Sequence, residues 1–298
     1  MQTIKSTKDK IRIDACLIEV LEISRSKVQK MIKDKAILVN DNIVKNSYQV
    51  KINDEIKILP YEEEETKIEA ENIEIEIVYE DEDVVVVNKP NKMVVHPAIG
   101  NKKGTLVNAL LYHFKNLSDI NGETRPGIVH RIDAETTGLL MVAKNNKAHE
   151  ILAKELETKK TYRKYIALVH GIIKHDTGTI DAPIGRDRND RKKMTVTEIN
   201  SKDAITHFKV LERYTDATLI ELTLETGRTH QIRVHLNYIE HPVVNDAVYG
   251  RRRKIDDTGQ CLHAKELGFI HPKTNEFMNF DSKLPKCFIK ILDIYKEK

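Results

Sequence analysis

A run of acid cuts this chain in two. Residues 61–83 carry 12 acidic side chains and 1 basic one, a net charge of −11. Within it, Glu62 to Glu65 form a block of like charge that repels itself and resists packing, so it reads as a tether. The 60 residues before the acidic run hold 12 basic and 8 acidic groups, net +4, and residues 84–298 are net +10. The division predicts a small first domain at 10–60, a linker at 61–76 and a larger second domain at 77–298. An overall charge of +3 hides this pattern. Two basic bodies flanking an acidic tether suit a polyanionic partner such as nucleic acid, although a solvated lysine-rich surface gives the same tally.

Other classes are excluded early. No stretch of about 18 apolar residues occurs, so no membrane span is expected. The first residues, MQTIKSTKDKIRIDA, lack the apolar centre of a secretory signal. Cys16, Cys261 and Cys287 are far apart and form no Cys-x-x-Cys pair. That spacing disfavours a structural zinc site or a disulfide framework and fits a reducing cytoplasm.

The first domain reads as two helices and a hairpin. Ile11, Cys16, Leu17, Val20 and Leu21 have roughly helical spacing. Ser24 is a candidate cap for a second helix, with Val28, Met31 and Ile32 as its apolar stripe. Arg25, Lys27, Lys30 and Lys33 fall mostly on the other face, where they would grip a phosphate backbone. Short strands follow at Ile37–Val39 and Glu55–Ile58, with turns at Asp41-Asn42 and Asn53-Asp54.

In the second domain, strand-like runs alternate with helices, which predicts a mixed α/β or α+β body. Val84–Val87, Gly138–Ala143 and Tyr165–Val169 read as strands, and Leu267–Ile270 with Glu276–Phe280 as a hairpin. Ala148, Ile151, Leu152 and Leu156 mark one helix, and Ile232, Leu236 and Ile239 another. The string RPGIVHRIDAETTGLLMVAKN, residues 125–145, clusters His130, Arg131 and Asp133 just before an apolar strand. Alone, an Asp-x-x-Thr of this kind most often builds a turn. A protein-kinase loop also begins His-Arg, but the chain has no glycine-rich phosphate loop and no Asp-Phe-Gly, and a Walker-type loop is absent too. The string TGRTHQIRVHLNYIEHPVVNDAVYG, residues 226–250, is too polar for a simple amphipathic helix, and the helix start near Thr229 would attract anions. His230 and His235 are five apart rather than the four that puts two ligands on one helical face, so no metal is expected.

These strings carry two resemblances. SRSKVQKMIKDKAILVNDNIVKNSYQVKINDEIKI, with the residues just before it, resembles the small RNA-binding domain of ribosomal protein S-four over about residues 10–60. It departs at Lys35, Asp41 and Asn53, where that family commonly has glycine. Asp and Asn tolerate a left-handed backbone, but lysine there costs roughly 1 kcal/mol, so the first turn is expected to depart from the family shape. The second domain resembles the pseudouridine synthases of the RluA/RluD type. The motifs are NKPNKMVVHP (88–97), HRIDAETTGLL (130–140), KYIALVHG (164–171), TGRTHQIRVHL (226–236), HPVVNDAVYG (241–250) and LHAKELGFIHP (262–272). Departures are Thr137 for a usual serine, and Lys92 and Asn245 for usual glycines.

The resemblance implies an α+β fold: a mixed, largely antiparallel sheet preceded by the small helical and hairpin RNA-binding domain. It implies isomerisation of uridine to pseudouridine in RNA, in which the base is detached, turned and rejoined through carbon. No redox change or net hydrolysis occurs, so no cofactor is implied. Asp133 matches the essential aspartate, Arg233 the arginine that pairs with it, and Tyr165 the tyrosine that stacks on the target base. Arg131 matches a residue that holds the extruded nucleotide, and Arg228 and His230 add basic grip, as do Arg25, Lys27 and Lys30 on the first domain. The expected partner is structured RNA, chiefly 23S ribosomal RNA or its precursor, met by a cytoplasmic monomer with no membrane partner. A transfer-RNA uridine is the alternative within the class, and a non-catalytic ribosome-assembly factor is the alternative from another.

Overall fold

The computed structural model describes residues 2–23, 25–61, 68–98, 100–122, 125–190, 193–250 and 255–297. Two compact units result, Met1–Thr66 and Lys67–Lys298. Ser24 and the Glu62–Glu65 block lie outside the described residues.

The first unit contains β1 (Gln2–Lys5), β2 (Ile11–Arg12), α1 (Ile13–Leu21), α2 (Arg25–Lys33), β3 (Ile37–Val39), β4 (Asn42–Ile43), β5 (Gln49–Val50) and β6 (Glu55–Ile58). Its core joins Ile13, Cys16 and Leu17 of α1 to Val28, Met31 and Ile32 of α2 and to Ile37, Val39 and Ile56 of the sheet. The β3–β4 hairpin closes through Asn40 and Asp41, both with positive φ, the conformation that lets a two-residue turn match strand twist. Lys35 adopts φ 63°, and Asp41 and Asn53 adopt 63° and 69°, so the left-handed backbone is kept and the lysine bears the strain.

The second unit is built on a nine-stranded sheet. Its strands are β7 (Glu76–Glu80), β8 (Val84–Lys89), β9 (Thr137–Ala143), β10 (Tyr162–His170), β11 (Thr177–Asp181), β14 (Ile205–Arg213), β15 (Ala217–Leu224), β16 (Leu262–Ile270) and β17 (Phe277–Asp281). A separate ribbon is formed by β12 (Ile184–Arg186) and β13 (Met194–Val196). The main order is β11-β14-β15-β10-β16-β9-β8-β7, with β17 beside β16. Every pairing is antiparallel except β9 with β16.

The valine run of β8 shows why the sheet needs cover on both faces. Val85 and Val87 enter the large core that contains α3 (Leu106–His113) and α6 (Lys286–Lys296), while Val84 and Val86 enter a second core under α4 (Asn146–Glu157). Successive side chains of a strand point oppositely, so an unbroken apolar run marks a strand buried twice. Thr105 and Asn108 form a capping box on α3, and Asn145 caps α4 by accepting from the Ala148 N–H. The remaining helix, α5 (Gln231–Tyr238), follows β15 and is buried along most of its length. Residues 68–75, inside the expected linker, pack on this unit. Ile68, Ile73 and Ile75 join its core, and the Glu71 N–H donates to Asn108 O at 3.0 Å.

Candidate active site

Asp133 sits on a loop that is fastened from several sides. Gly127, at φ 69°, turns the chain and donates its N–H to Ser118 O at 2.6 Å. His130 pins the loop to β9 by accepting from the Met141 N–H at 3.1 Å; burial lowers it to about 3, so the ring is neutral and able to accept. The Thr136 N–H closes a turn on Asp133 O at 3.1 Å. Beyond it, Gly138 lies so close to β16 that a Cβ would be 2.2 Å from Ala264 O, which only glycine permits. Lys89 lies beneath, 1% exposed, with its ammonium donating to Pro90 O, Met93 O and Ala134 O at 2.8–2.9 Å. Burial draws Lys89 down to about 7 and the charge of Asp133 acts the other way.

Arg233, on α5, joins this loop to a distant turn. Its Nη1 donates to Asp133 Oδ2 at 2.9 Å. Its Nε and Nη2 donate to the two oxygens of Asp246 at 2.7 and 2.9 Å, a bidentate pair that fixes the plane of the fork. Asp246 is fully buried at its side chain and also accepts the N–H groups of Val248 and Tyr249. Burial favours its neutral form, but Arg233 outweighs burial and keeps its pKa below the usual carboxylate range. Burial likewise works against the charge of Arg233, and the two carboxylates overcome it, so the guanidinium is held more firmly protonated than usual. The Tyr249 ring lies 5.0 Å under that guanidinium, and its hydroxyl meets His230 Nδ1 at 3.0 Å.

A cavity of about 340 Å³ opens beside these groups. Asp133, Tyr165, Arg233, Arg131, Arg228 and His230 all line it, although Arg131 and Arg233 stand more than a hundred positions apart in the chain. Asp133 faces the space with its side chain 20% exposed, against 0% for Asp246, and the exposed Glu157 lines the same cavity. Burial raises Tyr165, so its phenol stays neutral. Burial lowers His230, which therefore enters as a neutral ring 3.9 Å from Asp133 Oδ1. Arg228 spends its Nε on Asp203 O at 2.8 Å. Arg131 reaches His96 Nε2 at 3.3 Å.

Arg25, Lys27 and Lys30 belong to the first unit. Arg25 is engaged with Asp14, a fully buried carboxylate that also accepts from Arg12 and Gln29. Lys27 is exposed and Lys30 partly so. Residues missed in the sequence are Asp246, Tyr249, Lys89 and Arg163. Arg163 had a readable signal, since it is two residues before Tyr165 in an apolar strand and so shares its face. Asp246 had none, because its partner is 13 residues away on another element.

Residues 83–238 match the RNA pseudouridylate synthase family, and residues 12–56 match the S4 domain. The chain belongs to the RNA pseudouridylate synthase family and is an RNA pseudouridine synthase, an isomerase of uridine in RNA. It is 54% identical over 270 residues to an uncharacterized RNA pseudouridine synthase, YlyB, of Bacillus subtilis, covering 91% of this chain and 89% of that one. It is 40% identical over 300 residues to ribosomal large subunit pseudouridine synthase D of Haemophilus influenzae, covering 96% and 91%. Among solved structures, human RNA pseudouridylate synthase domain containing 1 shares the fold, with a TM-score of 0.59 and 25% identity over 77% of this chain and 97% of that one. Among the described residues, no helix is long and apolar enough to cross a membrane.

Proposed function

We propose that this enzyme isomerises uridine in large-subunit ribosomal RNA, with Asp133 as the reacting acid. The observation that carries the reading is one carboxylate, bonded to Arg233 at 2.9 Å, on the wall of a cavity it shares with Tyr165. Arg233 fixes the carboxylate in place and stabilises its charged form. Tyr165 offers an aromatic face on which an extruded pyrimidine stacks. Arg131 and Arg228 hold the nucleotide and its phosphates at the mouth.

Ribosomal RNA as substrate is supported by relatives named for the ribosomal large subunit, about 40% identical over nearly the whole chain. In this reading residues 10–60 bind structured RNA, residues 61–76 are the acidic joint, and residues 77–298 carry the reaction. The enzyme works as a monomer in the cytoplasm. Asp133→Asn keeps the shape and removes the charge. Single-turnover assays on large-subunit ribosomal RNA transcribed in vitro are expected to show pseudouridine formation reduced by at least ~10³-fold, as when an essential catalytic group is removed. Wild-type turnover by the variant refutes the role of Asp133. Mapping pseudouridine in cells with and without the gene tests the substrate, and a change confined to transfer RNA would move it there.

A further inference from the structure

The cavity contains a second buried guanidinium, and among the described residues no carboxylate pairs with it. Arg163 stands on β10, on the same face as Tyr165, and is 7% exposed. Its Nε is buried without an acceptor, and among the described residues no carboxylate acts on its charge. The contrast with Arg233, which holds two carboxylates, is complete. Gly227 makes room for it, because a Cβ there would come within 2.7 Å of Nη1. An unpaired cation buried in this way is costly to fold, so its presence requires a use. Since Arg163 lines the same cavity as Asp133, that use concerns the substrate.

Depth and charge together decide which part of the substrate. An enzyme that acts on an extruded base takes the base deep and leaves the phosphates at the rim. A side chain 7% exposed, about 7 Å along the strand from Tyr165, is at the depth of the ring. The reaction also moves charge in one direction. The carboxylate of Asp133 has three available targets: the sugar C1′, the ring C6, or a proton on the sugar. In the first case it becomes an ester, and the electron pair of the N1–C1′ bond leaves with the base. In the second it adds to the ring, and the displaced pair becomes an enolate on O4. In the third it takes the proton, the C–H pair forms a sugar double bond, and the N1–C1′ pair again leaves with the base. Each route uses up the negative charge of Asp133 and puts one on the pyrimidine. Rejoining through C5 returns it, with one proton leaving C5 and one arriving at N1.

We propose that Arg163 is a further catalytic residue, the cation that faces the uracil carbonyl oxygens and receives this charge while the base is detached. The proposal rests on the reading of Asp133 as the reacting acid. A preorganised donor at a site of developing charge, in a water-poor pocket, acts most strongly in the transition state.

Arg163→Met keeps the length and removes the charge, and Arg163→Lys restores a charge. On large-subunit ribosomal RNA transcribed in vitro, the methionine variant is expected to lose at least ~10²-fold in single-turnover rate, the effect of removing one such donor. Its RNA affinity should stay within about threefold of wild type, and the lysine variant should recover at least a tenth of the wild-type rate. The melting temperature of the methionine variant should equal or exceed that of wild type, because an unpaired buried charge has gone. A wild-type rate in the methionine variant overturns the proposal. So does an affinity loss as large as the rate loss, which would place Arg163 on a phosphate. A lowered melting temperature with no recovery by lysine would show a structural role and overturn it as well. Activity retained by Asp133→Asn in the same assay refutes the acid's role separately, and the melting comparison does not depend on that result.

Discussion

At the scale of single residues, the protein accepts strain at turns whose left-handed backbone favours glycine. Lys35, Asp41, Asn53, Lys92 and Asn245 all have φ between 62° and 69°. Asn245 is compensated: its Oδ1 accepts the Ile255 N–H at 2.8 Å and its Nδ2 donates to Gly259 O at 2.7 Å. Lys35 and Lys92 are exposed, and their flexible stems give the turn no such brace. Lys35→Gly and Lys92→Gly are each expected to raise the melting temperature by roughly 2 °C, after the greater flexibility of glycine in the unfolded chain offsets part of the gain. Differential scanning calorimetry checks this, and a fall in either variant shows that the lysine supplies a compensating interaction. The five positions were legible in sequence as replaced glycines, but the outcome was not. A turn whose ends are held by packed helices, strands or loops keeps its shape and strains the residue instead.

At the scale of elements, the joint between β9 and β16 holds the loop that carries Asp133. His263 on β16 meets Thr137 Oγ1 of β9 at 2.8 Å with Nδ1 and Ser282 Oγ at 2.9 Å with Nε2. Burial, with help from Lys265, lowers His263 to about 4. The unfolded chain takes up this proton near pH 6.5, and the folded chain only near 4. Between those values the unfolded state binds more protons, so stability is full above pH 6.5 and falls as pH drops toward 4. From pH 7.5 to 5.0 this one group contributes a loss of about 2 kcal/mol. Urea unfolding at the two pH values should therefore show a loss smaller by that amount in His263→Gln, and an unchanged loss refutes the assignment. His96, also lowered to about 4 by burial and by Arg131 and Arg125, adds to the same slope in wild type. Long periodic elements such as α4 and β8 were legible. The segment of β11 to β15 was not, because alternation is weak where one face is only partly buried and a bulge near Val210 and Glu212 shifts the register. Asp133, Arg233 and Tyr165 were legible through motifs, whereas Asp246 and Arg163 required the neighbours that only the fold supplies.

At the scale of the whole molecule, the proposed function gives the holding of RNA to the first unit and its alteration to the second. Replacing Lys27, Lys30 and Lys33 of α2 with alanine is expected to weaken RNA binding and reduce the slope of log affinity against log salt. The reduction should be roughly 0.7–0.9 for each phosphate that the substitutions leave without a cation. Filter binding over a salt series measures the slope, and single-turnover rates at saturating RNA should hold. An unchanged slope would show that α2 does not face phosphate.

The place of β16 between β10 and β9 has a consequence for how this enzyme comes into being. The first unit finishes within Met1–Thr66, so it can fold on the ribosome while most of the chain is still being made. The strand that backs the Asp133 loop arrives only at Leu262, after Tyr165, Asp133 and Asp246 have all been synthesised. If Asp133 is the reacting acid, chemistry switches on only once this strand has joined, and a prematurely terminated polypeptide is expected to occupy its RNA without converting it.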